Sequence, residues 1–170
     1  SGVPPPAPAS SYAVDLTATT VSSAGGLVKF VGDRINLASS VNSGTGRTMF
    51  VPSSTNRLIT LGGTDEANAL NLSSTELNNV TASTIVVGGN SYNGGIAIGN
   101  SGGSISPTNA SALSLINQSA ITQTAPVTVS SLNADTSSGT GAVTLTNASN
   151  AIGTVSGRAS NSAAFSLTSS

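Results

Sequence analysis

The sequence predicts an all-β chain whose short parallel strands stack as the coils of a β-helix. Apolar residues recur at two-residue spacing, turn-forming residues separate them, and charge and aromatic rings are scarce. Period two puts alternate side chains on one face of a strand. The inward pairs are Val14/Leu16, Val28/Phe30, Ile35/Leu37, Ile59/Leu61, Leu70/Leu72, Ile85/Val87, Ile96/Ile98, Leu113/Leu115, Val127/Val129, Val143/Leu145 and Phe165/Leu167. Between them lie VNSGTG (41–46), GGNSYNGG (88–95), GNSGGSISPTN (99–109) and TSSGTG (136–141). Gly and Asn accept positive φ, and Ser and Asn side chains bond to their own backbone, so these stretches read as turns.

Taken from the N-terminus, VPPPAPASS (3–11) reads as a polyproline II segment, because successive rings fix φ and remove amide donors. Residues 1–11 are therefore a Pro-rich linker or extended arm, and 12–170 the β-helix segment. The run Ser73-Ser74-Thr75-Glu76 has the pattern of a capping box. Asn78, Asn79 and Thr81 are poor helix formers, and they weigh against a helical turn there. Further on, ALSLINQSAI (112–121), AVTLTNASNAI (142–152) and AFSLTSS (164–170) share an Ala followed by an apolar-polar-apolar triplet, which sets repeat offsets of 30 and 22 residues. In GAVTLTNASNAIGTVSG (141–157) the pattern points Val143 and Leu145 inward and Thr144 outward. Asn147 to Asn150 turn the corner, and Ile152 and Val155 return to the core.

A β-sandwich is the alternative architecture, since strands at such spacing also suit it. Sandwiches usually have an aromatic core and charged outer faces, whereas the aromatic residues here are Tyr12, Phe30, Phe50, Tyr92 and Phe165 only. A narrow core of Val, Ile, Leu and Ala suits a β-helix better. Its outer Ser, Thr and Asn can hydrogen-bond along the stack without the repulsion of like charges in register.

Composition narrows the function. Charged residues are 6% of the 170, against about a quarter in an ordinary soluble domain. Lys29, Arg34, Arg47, Arg57 and Arg158 are the only cations, and the net charge is −1, so no basic stripe exists for a nucleic acid. No apolar run is long enough for a transmembrane helix. Hydrophobic residues make up 37%, which argues against a disordered stalk. Cysteine is absent, which fits the cytoplasm or an exported bacterial protein, and the low charge tips the expectation towards export. The chain begins Ser1-Gly2-Val3 without a signal peptide and ends in SLTSS without a capping helix. It is therefore expected to belong to a longer chain or to stack end to end with copies of itself.

The wording of DRINLASSVNSGTGRTMFVPSSTNRLITLGG (33–63), ALNLSSTELNNVTASTIVVGG (69–89) and GAVTLTNASNAIGTVSG followed by AFSLTSS resembles the repeat region of filamentous-haemagglutinin-like proteins. These are large bacterial exoproteins of two-partner secretion and related autotransporter systems. The resemblance covers nearly everything after the proline arm. It implies a right-handed parallel β-helix, exported through an outer-membrane partner pore, that serves as an adhesin shaft or extracellular fibre at the cell surface.

Reactive groups are few. Without His or Cys, histidine-based triads and their cysteine equivalents are excluded, and no Ser sits in a G-x-S-x-G elbow. Parallel β-helices that cleave polysaccharide use paired or clustered acids. The six acids are Asp15, Asp33, Asp65, Glu66, Glu76 and Asp135, of which only Asp65 and Glu66 are adjacent. Consecutive strand residues point to opposite faces, so these two read as a solvated turn. Glycine clusters lack a following Lys-Ser/Thr and read as turns. The sequons at Asn71, Asn79, Asn109, Asn117 and Asn147 are accounted for by the abundance of Ser and Thr. Catalytic residues, metal and cofactor are expected to be none, and the chain is not read as an enzyme. The one candidate ligand contact is Tyr92, whose ring can stack on a sugar face, against the plainer reading of a loop side chain lying on the neighbouring coil.

The function expected is thus a structural and adhesive segment of about seven coils, a rod on the order of 35 Å long. Its partners would be further repeats or copies of itself and host or cell-surface glycans. A tailspike-like β-helix that binds or cleaves polysaccharide is the alternative.

Overall fold

Alternating Val, Ile and Leu drive extended segments that bury one edge of each strand, and the computed structural model shows where those edges meet. It describes residues 12–160 and 162–170, so the arm assigned to residues 1–11 lies outside the described residues. Six short strands come first: β1 (Val14–Asp15), β2 (Val21–Ser22), β3 (Val28–Val31), β4 (Ile35–Asn36), β5 (Val41–Asn42) and β6 (Arg47–Val51). Then follow β7 (Leu58–Leu61), β8 (Ala69–Leu72) and a one-turn helix, α1 (Ser74–Asn78). Long and short strands alternate thereafter: β9 (Val80–Gly88), β10 (Ile96–Ile98), β11 (Ala110–Ile116), β12 (Ile121–Gln123), β13 (Thr128–Asp135), β14 (Val143–Leu145), β15 (Ala151–Arg158) and β16 (Phe165–Leu167).

Every pairing among the described residues is parallel. One sheet runs β16, β14, β12, β10, β7, β8, and another runs β15, β13, β11, β9, β5, β2, with β3 and β6 joined to it through β9. β1 and β4 form a separate pair. Apart from β7 and β8, no strand pairs with its chain neighbour. The antiparallel hairpins from which a sandwich is assembled do not occur among the described residues. The change from short strands to long ones happens at β9. Its Val80 and Thr81 pair with Val41 and Asn42, and its Thr84 to Val87 pair with Arg47 to Phe50, so it spans the edges of β5 and β6 together.

Parallel registration lines up like side chains in columns. Phe30, Phe50, Val87, Leu115 and Ala134 form one inward column, and all five are buried. Phe30 and Phe50 stack with centroids 5.3 Å apart and planes 13° from parallel. In the other sheet Ile59, Ile96, Ile121, Val143 and Phe165 follow one another. The buried members of both columns belong to one apolar cluster. Most predicted inward pairs are buried. The exceptions lie in the outermost strands, where Val14 and Val28 are half-buried and Phe165 is exposed.

Three expectations need correction. The 22-residue offset is a true register, because Val143, Thr144 and Leu145 pair with Phe165, Ser166 and Leu167. The 30-residue offset is not, because Leu113 sits in β11 of one sheet and Val143 in β14 of the other; the segment in register with Val143 is Ile121. Each long sheet is six strands deep along its path rather than seven, or about 24 Å at the usual strand spacing. Finally, Val155 does not return to the core. It continues the column of Leu113 and Leu132, but β15 is the outermost strand, so nothing covers it and it remains 44% exposed. Val143, Leu145 and Ile152 are buried as expected, and Asn150 N–H closes the corner on Asn147 C=O at 3.1 Å.

The helix α1 also departs from its propensity. Ser73 Oγ accepts from Glu76 N at 3.2 Å, and Glu76 Oε2 accepts from Ser73 N at 2.9 Å, a complete capping box. Tertiary contacts outweigh the poor helix formers: Leu77 is fully buried, and Asn79 Nδ2 donates to Leu37 C=O at 2.6 Å. Tight stacking also dictates glycine. Gly62 (φ +75°) and Gly103 pack backbone to backbone, and a Cβ on Gly103 would lie 2.1 Å from Gly63 N.

These columns make a direct prediction. Leu113→Ala removes a fully buried side chain and should cost about 2–5 kcal/mol, whereas Thr144→Ala on the outer face should change stability by less than about 0.5 kcal/mol. Urea denaturation of the two variants measures the difference.

Candidate functional site

The ladder of strands is interrupted at one place. β4 and β8 approach within 8 Å between Cα atoms, yet no pairing joins them. The side chains of the α1 segment stand in for the missing ladder. Glu76 Oε1 accepts from Leu37 N at 3.0 Å, and Asn79 Nδ2 donates to Leu37 C=O. A carboxylate and an amide thus satisfy the donor and acceptor that a neighbouring strand would otherwise have taken.

A groove of about 520 Å³ opens at this interruption, lined among others by Leu37, Ala38, Thr64, Asp65, Asn71 and Glu76. Asp65 Oδ2 accepts from the Tyr12 hydroxyl at 2.7 Å and lies 3.7 Å from Arg34 Nη2. The Arg34 guanidinium stands 5.0 Å from the Tyr12 ring centroid. The hydrogen bond to Asp65 holds the Tyr12 proton and raises the phenol above its ordinary value. Burial and the Asp65 charge add to this, and Arg34 opposes it. Asn71, only 3% exposed, donates from Nδ2 to Thr60 Oγ1 at 2.9 Å and to Gly62 C=O at 3.2 Å, while its Oδ1 is buried and has no partner.

The acids act as structural clips. Glu76 Oε2 takes both the N–H and the hydroxyl of Ser73, and its Oε1 takes Leu37 N. Glu66 accepts from Asn100 Nδ2 at 3.2 Å, so Asp65 and Glu66 turn to different neighbours, in keeping with the reading of a solvated turn. Asp33 accepts from Ser53 N, Ser54 N and Ser54 Oγ, and its carboxylate lies 4.0 Å from Arg57. Burial pushes Asp33 up, but the bonds from Ser54 and Ser53 and the charge of Arg57 outweigh it and hold the carboxyl below its ordinary range. Asp15 accepts from Asn36 and Thr17, and Asp135 from Ser137. Among the described residues no group of three or more His, Cys, Asp or Glu converges on a point where a metal ion could sit. The geometry offers hydrogen bonding rather than a nucleophile paired with a base.

Tyr92 lies outside this groove. Its ring is half-buried over Gly89, with ring carbons 3.4 and 3.5 Å from where a Cβ on Gly89 would stand and Met49 Cε 3.6 Å from the same point. Its carbonyl accepts from Gln118 N at 2.7 Å, which ties the loop to the next turn of chain. The ring therefore covers the outward Met49 of β6, and the reading of a side chain lying on its neighbour describes its contacts. Two of the sequon asparagines, Asn71 and Asn117, are buried.

Sequence reasoning missed the groove because its members come from separate stretches. Asp65 sits in a loop, Glu76 in the helix and Asn71 between Leu70 and Leu72, where a polar residue reads as an ordinary outward position. The one available signal was the capping box, since a Glu held at a helix start is a Glu held in place.

No protein-family model, curated protein or solved structure matches this chain. Among the described residues no helix is long and apolar enough to cross a membrane.

The Tyr12–Asp65 bond has a measurable consequence. A phenol raised above 10.0 contributes stability that is complete below pH 10 and lost as pH rises through the folded value. In a Tyr92→Phe background, ultraviolet titration should place Tyr12 above 10, and Asp65→Asn should bring it back towards 10.

Proposed function

We propose that this chain is a segment of the shaft of an exported bacterial surface adhesin or extracellular fibre, wound as a right-handed parallel β-helix through residues 12–170. The observation that carries the reading is the pair of all-parallel sheets, each six strands deep, with their inward columns in a single apolar cluster. Parallel strands linked by crossovers are overwhelmingly right-handed. Strands paired about twenty residues apart, such as Ile121 with Val143 and Val143 with Phe165, are what successive coils of such a helix supply. The wording shared with filamentous-haemagglutinin-like repeats supplies the adhesin and the export route.

The function of a shaft is to project and to assemble, and its chemistry is backbone hydrogen bonding. Each layer is held to the next by a ladder that runs along the shaft, while Ser, Thr and Asn carry the outer faces. Short polar bonds add to this between layers: Asn133 Nδ2 donates to Ser114 Oγ at 2.9 Å, and Gln118 Nε2 to Asn90 C=O at 2.7 Å. Low charge and absent cysteine suit passage across membranes in an unfolded form.

The outermost strands β15 and β16 expose Val155 and Phe165. One more layer of the same kind, from a second copy, would bury both and pair their free backbone groups. The exposed pair is what end-to-end stacking requires.

Sedimentation velocity over a wide concentration range tests the assembly. The native chain should associate as concentration rises. Val155→Lys combined with Phe165→Lys should sediment as a monomer while keeping a strand-type circular dichroism spectrum. A native chain that stays monomeric throughout would reject the stacking, and a coil spectrum would reject the β-helix.

A further inference from the structure

The groove at the β4/β8 interruption contains a feature that the shaft reading does not use. Asn71 sits on β8, the edge strand of its sheet, and its Nδ2 reaches back to Thr60 and Gly62 of the adjoining strand. An amide group is planar, with oxygen and nitrogen on opposite sides of Cγ. With the nitrogen directed at β7, the oxygen is directed away from it, towards the open edge of β8 and the groove. That oxygen is buried and has no partner. A buried acceptor left unsatisfied is unfavourable, and it is satisfied when a ligand brings a donor to it.

The rest of the groove narrows the choice of donor. An inserted peptide strand is excluded, since it would need two strand spacings, about 9.6 Å, where β4 and β8 approach within 8 Å. A divalent cation would want six or more oxygens, but three donors of the chain already occupy the Glu76 carboxylate, and Arg34 lies beside Asp65. The pairing of Arg34 with Asp65 leaves no net charge to attract an anion or a cation. What remains is a set of acceptors and hydroxyls from Asn71, Asp65, Thr64 and Thr75, set beside the apolar Leu37 and Ala38. A hydroxyl-bearing ring with an apolar face meets both, and a volume of about 520 Å³ is enough for one or two such rings.

We propose that this groove is a binding site for a neutral saccharide, one of whose hydroxyls donates to Asn71 Oδ1 while another engages Asp65. The site stands on its own geometry and does not depend on the chain being a shaft. The binding is weak and lateral, one groove on the side of the stack, and chains assembled along an axis would present it repeatedly.

The test is nuclear magnetic resonance on the ¹⁵N-labelled full chain, titrated separately with glucose, galactose, mannose, N-acetylglucosamine and calcium chloride. The expected result is that at least one sugar, at millimolar affinity, shifts the Asn71 side-chain amide together with the backbone amides of Thr64 and Thr75. Asp65→Ala, which removes an acceptor, and Thr75→Trp, which fills the groove from an exposed helix position, should each weaken that sugar at least about tenfold. Both should keep the native circular dichroism spectrum, and Tyr92→Phe should bind as the native chain does. Absence of a shift with every sugar, shifts with calcium only, or sugar shifts that leave Asn71 unmoved or survive both groove variants would each overturn the proposal.

Discussion

The parallel ladder is the constraint on which this molecule depends. Two parallel strands cannot be joined by a tight turn, so the chain must travel away and return before it can pair. Here it returns after about twenty residues, and nearly every other feature follows from that return. The strands must be short, the corners must turn sharply, and the side chains brought above one another must be of kinds that tolerate stacking. Ile96 over Ile59, Ile121 over Ile96 and Phe50 over Phe30 are favourable stacks. Charges in the same columns would repel, which gives a physical reason for a chain with so few of them.

Where the ladder fails, between β4 and β8, the chain repairs it with side chains. Glu76 and Asn79 bond to Leu37 as a strand would, and the capping box at Ser73 fixes Glu76 in the position to do so. The repair is local and leaves the neighbouring groove, with Asn71 Oδ1 at its base, incompletely satisfied. The corners use the same device: Asn150 Oδ1 accepts from Val127 N at 2.9 Å and from Gln123 Nε2 at 2.8 Å, which lets two buried amides sit at the edge of an apolar core.

How much of this was legible varied with the range of the interaction. Period two is a local property, and it placed Leu70/Leu72, Ile85/Val87 and Val143/Leu145 correctly inside. Register is not local. The triplets at 112–121 and 142–152 look alike because the inward faces of both sheets require the same chemistry, so likeness alone could not tell the sheet of Leu113 from that of Val143. Val155 was misplaced for a related reason: its column is apolar, but burial depends on whether another layer covers it. The α1 turn and the groove beside it depend on contacts between residues about forty apart, such as Leu37 with Asn79, and no spacing in the sequence reveals them.

The central claim is that the layers are stacked in parallel at a defined register, and backbone nuclear Overhauser effects test it most directly. The account predicts amide-to-α-proton contacts linking the Ile121 segment to the Val143 segment, and the Val143 segment to the Phe165 segment, in parallel order. Backbone contacts between Leu113 and Val143 in place of these, or an antiparallel pattern between any of these strands, would contradict it.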